Sequence, residues 1–324
     1  MKRNILLLIL AAGTATGAVA QQPVGVARYW GNRQAAVSYT FDDGLQDQYT
    51  LAVPQLKQRG LKATFAVIGS KVGGMVHSSQ DRQMGISGTP CMTWEMLREM
   101  AADGQEISSH GWEHKKVTKL SAEQLRHEVE RNDSAIMEHI GQRPRTYFYP
   151  GNGKDSATTA FCEQGRMGSR TFQIAIGAKR DSAWLTRWVE GLVERGEWGV
   201  GMTHGIAMGY DHFADPQVLW SHWDYIVSVQ DRVWVATFHD VAAYIRERDN
   251  VQLTIDEAGP NVLIVRPRCS LPREVFSMPL TLLLGSRPVV SISQGGRPLA
   301  VYQAGSGQYL ADFDPHGEPV VVKY

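Results

Sequence analysis

An α/β fold with a parallel sheet, closing into a barrel and followed by a small all-β region, is predicted by three observations. Short apolar runs alternate with helix-period segments from residue 35 to about 248. Several of those runs end in polar, glycine-flanked turns. After Arg248 the helical periodicity stops, and runs such as Val262-Leu263-Ile264-Val265 and Val289-Val290-Ser291-Ile292 take over. Turn signals at Gly285-Ser286, Gly295-Gly296 and Gly305-Ser306-Gly307 separate them. The chain has 324 residues, room for one large domain and a smaller one.

In order, Ala35 to Phe41 and Ala63 to Ile68 read as buried strands, and Trp94 to Ala102 as a helix with apolar residues at helical spacing. Glu106 to Ser109 is a strand, and Ser121 to Ile140 a long amphipathic helix. Tyr147 to Tyr149 is a strand, Ala157 to Cys162 helical, and Thr171 to Ile176 a strand. Trp184 to Glu194 is a helix, Trp198 to Met202 a strand, and Leu219 to Val227 a helix. Val233 to Phe238 is a strand, and Val241 to Arg246 the last helix. The stretch Lys71 to Pro90, rich in Gly and Ser, reads as a loop whose length points to a role beside a site.

The first twenty residues read differently. Lys2 and Arg3, the apolar stretch Ile5 to Ala12 and the small residues Ala18-Val19-Ala20 form a secretory signal pattern, with cleavage before Gln21. The apolar run is short and broken by Gly13, Thr14 and Thr16, which argues against a membrane anchor. The organisation predicted is a signal peptide over 1–20, a catalytic domain over 21–249 and a β-rich accessory domain over 250–324, in a secreted or periplasmic protein. The 33 basic and 33 acidic residues balance, which gives no electrostatic case for nucleic acid or an anionic membrane. No protein partner is evident. Cys91, Cys162 and Cys269 have no C-x-x-C spacing, so a thiolate zinc site is not expected, and spacing does not select a disulfide pair.

The chemistry concentrates at the ends of strands. "SYTFDDG", residues 38–44, sets Asp42 and Asp43 side by side where a buried run meets a turn. An N-cap role accounts for one Asp but not two, because adjacent anions destabilise each other unless a cation answers them. "SHGWEH", residues 109–114, places His110 and His114 four apart, a spacing that one helical turn would bring to one face. One carboxylate and two imidazoles make a metal site with open coordination positions. "YFYPGNG", 147–153, and "GVGMTHG", 199–205, end two further strands, the latter with His204. In a parallel α/β domain such ends converge on one face.

This ordered set of motifs, "TFDDG", "SHGWEH", "YFYPGNG" and "MTHG", resembles the polysaccharide deacetylase (NodB-homology) family of carbohydrate esterases. "WVATFHDVAAYIRER", 234–248, is similar to the end of bacterial members, so the resemblance covers roughly 35–248. It implies a distorted (β/α) barrel that removes acetyl groups from sugars with a divalent metal. By position it implies Asp43, His110 and His114 as metal ligands, Asp42 as general base, His204 as general acid and the Gly151 N–H as an oxyanion donor. Two departures stand out. Phe148 occupies the place where many members carry Arg, with Arg145 three residues earlier. The family's Asp-Trp pair behind the acid His has no clean match; "DSAWLTRW", 181–188, offers Asp181, Trp184 and Arg187, of which Arg187 is taken as the charged supporting residue.

The function expected is N-deacetylation of an amino-sugar polymer or oligomer, with zinc as the metal and Co, Mn or Ni as alternatives. O-acetyl esterase action on a polysaccharide such as xylan is the second reading, and a non-catalytic carbohydrate-binding protein with a metal site the third. Trp198, Trp220 and Trp223 are expected in the core rather than as sugar platforms.

Overall fold

The computed structural model describes residues 24–304 and 307–324. The expected signal peptide lies outside the described residues. Among those described, no helix is long and apolar enough to cross a membrane, and Cys91, Cys162 and Cys269 are all free thiols.

The core is an eight-stranded, all-parallel sheet. Its order runs Gly168–Arg170, Thr146–Phe148, Glu106–Ser109, Thr64–Val67, Ala35–Phe41, Trp198–Thr203 and Ile174–Ala175. Ala35–Phe41 lies at its centre and is buried along its whole length, as a parallel strand covered on both faces must be. One edge pairs with Trp198–Thr203 over six residues. The other is shared, Val233–Val235 taking Ala35–Val37 and Thr64–Val67 taking Thr40 and Phe41. The sheet is curled, the expected distorted barrel, and Phe41 stacks on Phe65 at 4.8 Å inside its main core.

The helices follow the expected order, with local reasons for their ends. Trp94–Ala102 is capped by Thr93, and Ala122–Ile140 opens on a Ser121/Gln124 capping box and stops at Gly141 in the left-handed conformation. Ser182–Arg195 starts from an Asp181 cap and Phe238–Asn250 from a Thr237 cap. Two strand expectations are corrected. Thr171 to Ile176 is strand only at Ile174–Ala175, and Gly168–Arg170, the strand at the other edge of the sheet, lies just before it in the sequence. Val233 to Phe238 ends as strand at Val235, because the Thr237 cap already turns the chain into the last helix.

From Val251 the chain is all-β, in two antiparallel sheets. The five-stranded sheet orders Val251–Glu257, Val262–Cys269, Val320–Lys323, Ser291–Gln294 and Arg297–Pro298. The four-stranded sheet contains Leu280–Leu284, Tyr309–Phe313 and Tyr302–Gln303, and its other edge is Val24–Val26 from the start of the described chain. A single apolar cluster joins Ala36, Trp234 and Tyr244 of the barrel to Leu263, Leu282 and Val322 of the β region. Trp223 is fully buried, and Trp198 and Trp220 are half-buried against core residues.

Candidate active site

Five strand ends meet at the C-terminal face of the sheet. Asp42 and Asp43 follow Ala35–Phe41, His110 follows Glu106–Ser109, and the Pro150–Asn152 turn follows Thr146–Phe148. Arg170 ends Gly168–Arg170, and His204 follows Trp198–Thr203. Asp42, Asp43, His110, His114, Gly151 and His204 line one cavity of about 620 Å³. Lys71, Val76, His77 and Ser78 form another part of its wall, so the Lys71–Pro90 stretch does border the site. That stretch is ordered by a two-stranded pairing of Met75–Val76 with Thr89–Pro90 and by a Ser78/Asp81 capping box.

The side-by-side aspartates face different partners. Asp43 Oδ1 lies 3.5 Å from His110 Nε2 and 3.6 Å from His114 Nε2. The two imidazole centroids are 4.9 Å apart, and one donor atom from each of the three residues falls within 4.8 Å of the others. Asp43 Oδ1 is buried with no hydrogen-bond partner, a costly state that a cation would relieve. His110 Nδ1 is 2.9 Å from the Phe148 carbonyl oxygen. Since that oxygen only accepts, Nδ1 carries the proton and the Nε2 lone pair faces Asp43, as in histidine metal ligands. Burial and the neighbouring His110 push His114 down to about 4, so it is neutral near pH 7. Burial lowers His110 too, but Asp42 and Asp43 outweigh it and its pKa is raised, so proton and metal compete for Nε2. Two imidazoles and one carboxylate, whose orphaned oxygen lies beside both rings, fit a late divalent cation.

The spacing of His110 and His114 does not work through a helical turn. Residues 110–116 form an irregular loop, with Gly111 at φ +80° and His114 at φ +62°. A Cβ at Gly111 would lie 2.5 Å from Glu128 Oε1, which makes glycine a requirement of the turn. Glu128, buried on the Ala122–Ile140 helix, accepts the backbone N–H groups of Glu113 and Lys115 and so shapes the loop.

Asp42 is held by Arg170, which donates from Nη1 to Oδ1 at 2.7 Å and from Nη2 to Oδ2 at 2.5 Å. Arg170 also reaches Thr40 Oγ1 at 2.9 Å and lies 4.2 Å from the Phe148 ring centroid. Burial alone would raise the Asp42 carboxyl, but Arg170, with His110 second, holds it well below the usual carboxylate range. Here the expectation for Arg187 is corrected. Arg187 is exposed on the Ser182–Arg195 helix and outside the cavity, while the cation against Asp42 is Arg170. Arg170 pairs in register with Phe148. It therefore reaches Asp42 from the strand beside Thr146–Phe148, across the Phe148 ring. Arg145 precedes Thr146–Phe148 and faces the opposite end of the sheet, where it lines a different hollow.

His204 completes the cavity wall. Its ring packs edge-on against Tyr210 at 4.9 Å, and its Nδ1 is buried without a partner. Gln48, fully buried, donates from Nε2 to the carbonyls of Asp42 at 2.6 Å and of His204 at 2.8 Å, tying the two loops together. Asp47 accepts the N–H groups of Ile206, Ala207 and Met208 and fixes the chain after His204. Gly151, at φ +57°, packs against Lys116, whose Cε would be 2.7 Å from an added Cβ. Arg170, Gln48, Asp47 and Glu128 carried no sequence signal, because each acts through a pairing between distant segments.

Residues 31–167 match the family model described as polysaccharide deacetylase. The protein named YxkH of Bacillus subtilis (strain 168), assigned to the polysaccharide deacetylases, is 31% identical over 117 residues, covering 36% of this chain and 37% of that one. The peptidoglycan-N-acetylglucosamine deacetylase PgdA of Listeria monocytogenes is 26% identical over 115 residues, 35% of this chain and 21% of its own. The peptidoglycan-N-acetylmuramic acid deacetylase PdaA of Bacillus subtilis is 24% identical over 186 residues, 57% of each. The matches thus span less than two thirds of each of these relatives. A crystal structure from Mycobacterium smegmatis, classed as a polysaccharide deacetylase, superposes with a TM-score of 0.55 at 15% identity. It covers 70% of this chain and 95% of its own, which shows the shared fold. Residues 31–167 are thus similar to the polysaccharide deacetylase family, and the fold is one this chain shares with a protein of that class.

Proposed function

We propose that this protein is a secreted, metal-dependent deacetylase that removes N-acetyl groups from an amino-sugar polymer or oligomer. The observation that carries the reading is the orphaned Asp43 Oδ1 between two imidazoles, with Asp42 and His204 lining the same cavity. Asp43, His110 and His114 would hold the ion, with zinc the first choice for this donor set. Such an ion supplies Lewis acidity toward a carbonyl and lowers the pKa of water near it.

The chain's own groups then divide the proton work. Asp42, kept ionised by Arg170, accepts a proton from the attacking water. His204 delivers a proton to the departing sugar nitrogen, with Tyr210 holding its ring. The Gly151 N–H, on the same cavity wall, serves the oxygen that gains charge as the acetyl carbon becomes tetrahedral. Support for an amino-sugar substrate comes from relatives named as peptidoglycan deacetylases, and support for secretion from the pattern of residues 1–20. Residues 21–249 would carry catalysis and 250–324 would serve as an accessory β domain that packs on the barrel flank.

The test is acetate release from N-acetylglucosamine oligomers beside release from acetylated xylan, after zinc loading. Release from the amino sugar supports the proposal. Release from xylan alone replaces it with an O-acetyl esterase. Zinc-induced thermal stabilisation without release from either would make the protein a non-catalytic binder.

A further inference from the structure

A second hollow, of about 420 Å³, opens at the opposite end of the barrel, between the sheet and the Ser277–Met278 connection within the β region. Its walls include Gln105, Glu106, Arg143, Arg145, His239 and Asp240. The carboxylates there are engaged internally. Glu106 accepts the hydroxyls of Thr64 and Thr146 and the backbone N–H of His239. Asp240 Oδ1 lies 2.9 Å from His239 Nε2, and Oδ2 accepts the Thr237 hydroxyl at 2.8 Å. Burial pulls His239 down, but Glu106 and Asp240 hold it up at about 10, so it is cationic at neutral pH.

The donors are in the reverse state. Among the described residues neither the Arg143 nor the Arg145 guanidinium has a hydrogen bond or a close salt bridge, although Arg145 acts on the Asp240 carboxylate and Arg143 on that of Asp133 through space, and both are exposed at the rim. Gln105 is 4% exposed, its Oε1 accepts the Ala63 N–H, and its Nε2 is buried with no partner. A buried amide donor without an acceptor is rare in a folded protein. Two planar guanidinium forks beside it match the bidentate geometry of phosphate and carboxylate groups.

We propose that this hollow on the barrel floor binds an oxyanion-bearing small ligand, a phosphate ester or a sugar acid, through Arg143, Arg145 and the Gln105 side-chain amide. The site is separate from the Asp/His cavity and independent of the deacetylase reading. Its position between barrel and β segment would couple occupancy to the seating of the β region.

Calorimetric titration of the full chain with inorganic phosphate and with glucuronate tests it, alongside R143Q/R145Q. Saturable binding of at least one anion is expected, weakened about tenfold or more in the double variant as charge-assisted hydrogen bonds are lost, with acetate release unchanged. Saturation by phosphate alone assigns phosphate esters, and by glucuronate alone sugar acids. No saturable binding of either anion, or equal affinity in the double variant, overturns the proposal.

Discussion

At the two ends of one parallel sheet, buried carboxylates meet histidines in opposite states. At the C-terminal end, Asp43 Oδ1 touches His110 and His114 at 3.5 and 3.6 Å and has no hydrogen bond. At the other end, Glu106 opens the neighbouring-but-one strand, and both its oxygens are occupied by Thr64, Thr146 and His239. The residue types are nearly the same. What differs is completion: the floor network is closed and holds the last helix to the sheet, while the upper cluster is left open. An acid–imidazole cluster is marked for chemistry by what its buried atoms lack.

The largest effect that could break this contrast is at Asp43. Asp43→Asn offers a neutral oxygen in place of the carboxylate and should lose both bound zinc and acetate release. Elemental analysis beside turnover checks it, and a variant that keeps both places the metal elsewhere. Asp42→Asn should keep the metal and lose about two to four orders of magnitude in rate, the usual range for a missing general base. If the zinc leaves with Asp42 instead, the roles of the neighbours are exchanged.

Arg170→Leu strands a buried carboxylate and should destabilise the fold by about 3–5 kcal/mol in urea unfolding, with activity reduced. Arg170→Lys should recover only part of that activity, since an ammonium cannot make the paired contact. Unchanged stability in Arg170→Leu would mean that Asp42 does not depend on it.

His239 sharpens the contrast from below. Its pKa is raised from 6.5 to about 10, so the native state keeps a proton that the unfolded chain releases over that interval. The contribution is full below pH 6.5 and is lost as pH rises through about 10, a change of at most about 5 kcal/mol. Unfolding midpoints across this range should fall more steeply for the native chain than for His239→Gln, with zinc content the same in both. Parallel curves would show the pair to be inert. The smallest effect belongs to Arg187→Ala, expected to leave rate unchanged and stability within about 0.5 kcal/mol.

The strand ends that carry Asp42, Asp43, His110 and His204 were legible because an apolar run followed by a polar, glycine-flanked turn is a local pattern. The route that brings His114 back to Asp43 was not. A four-residue spacing reads as a helical turn, whereas here left-handed backbone at Gly111 and His114 and the carboxylate of Glu128 make the same approach. Arg170 was hidden for a related reason. Gly168–Arg170 is a three-residue edge strand with no apolar run to announce it, and its value lies in the register with Phe148. The β region was recognised from its turns, but the recruitment of Val24–Val26 depends on pairing with residues far along the chain.

That last pairing has a consequence for biosynthesis. Val24 to Val26 pair with Leu284 to Leu282, so the earliest described strand has no partner until nearly the whole chain is present. In the interval its partner edge does not exist, and the emerging barrel lacks the apolar cover that Leu263, Leu282 and Val322 give to Trp234 and Tyr244. Such distant strand pairing slows folding and prolongs the exposure of unpaired edges. The final step is then a clasp, fastening the front of the polypeptide to its tail, and a nascent chain stalled before residue 280 should remain protease-sensitive at its front.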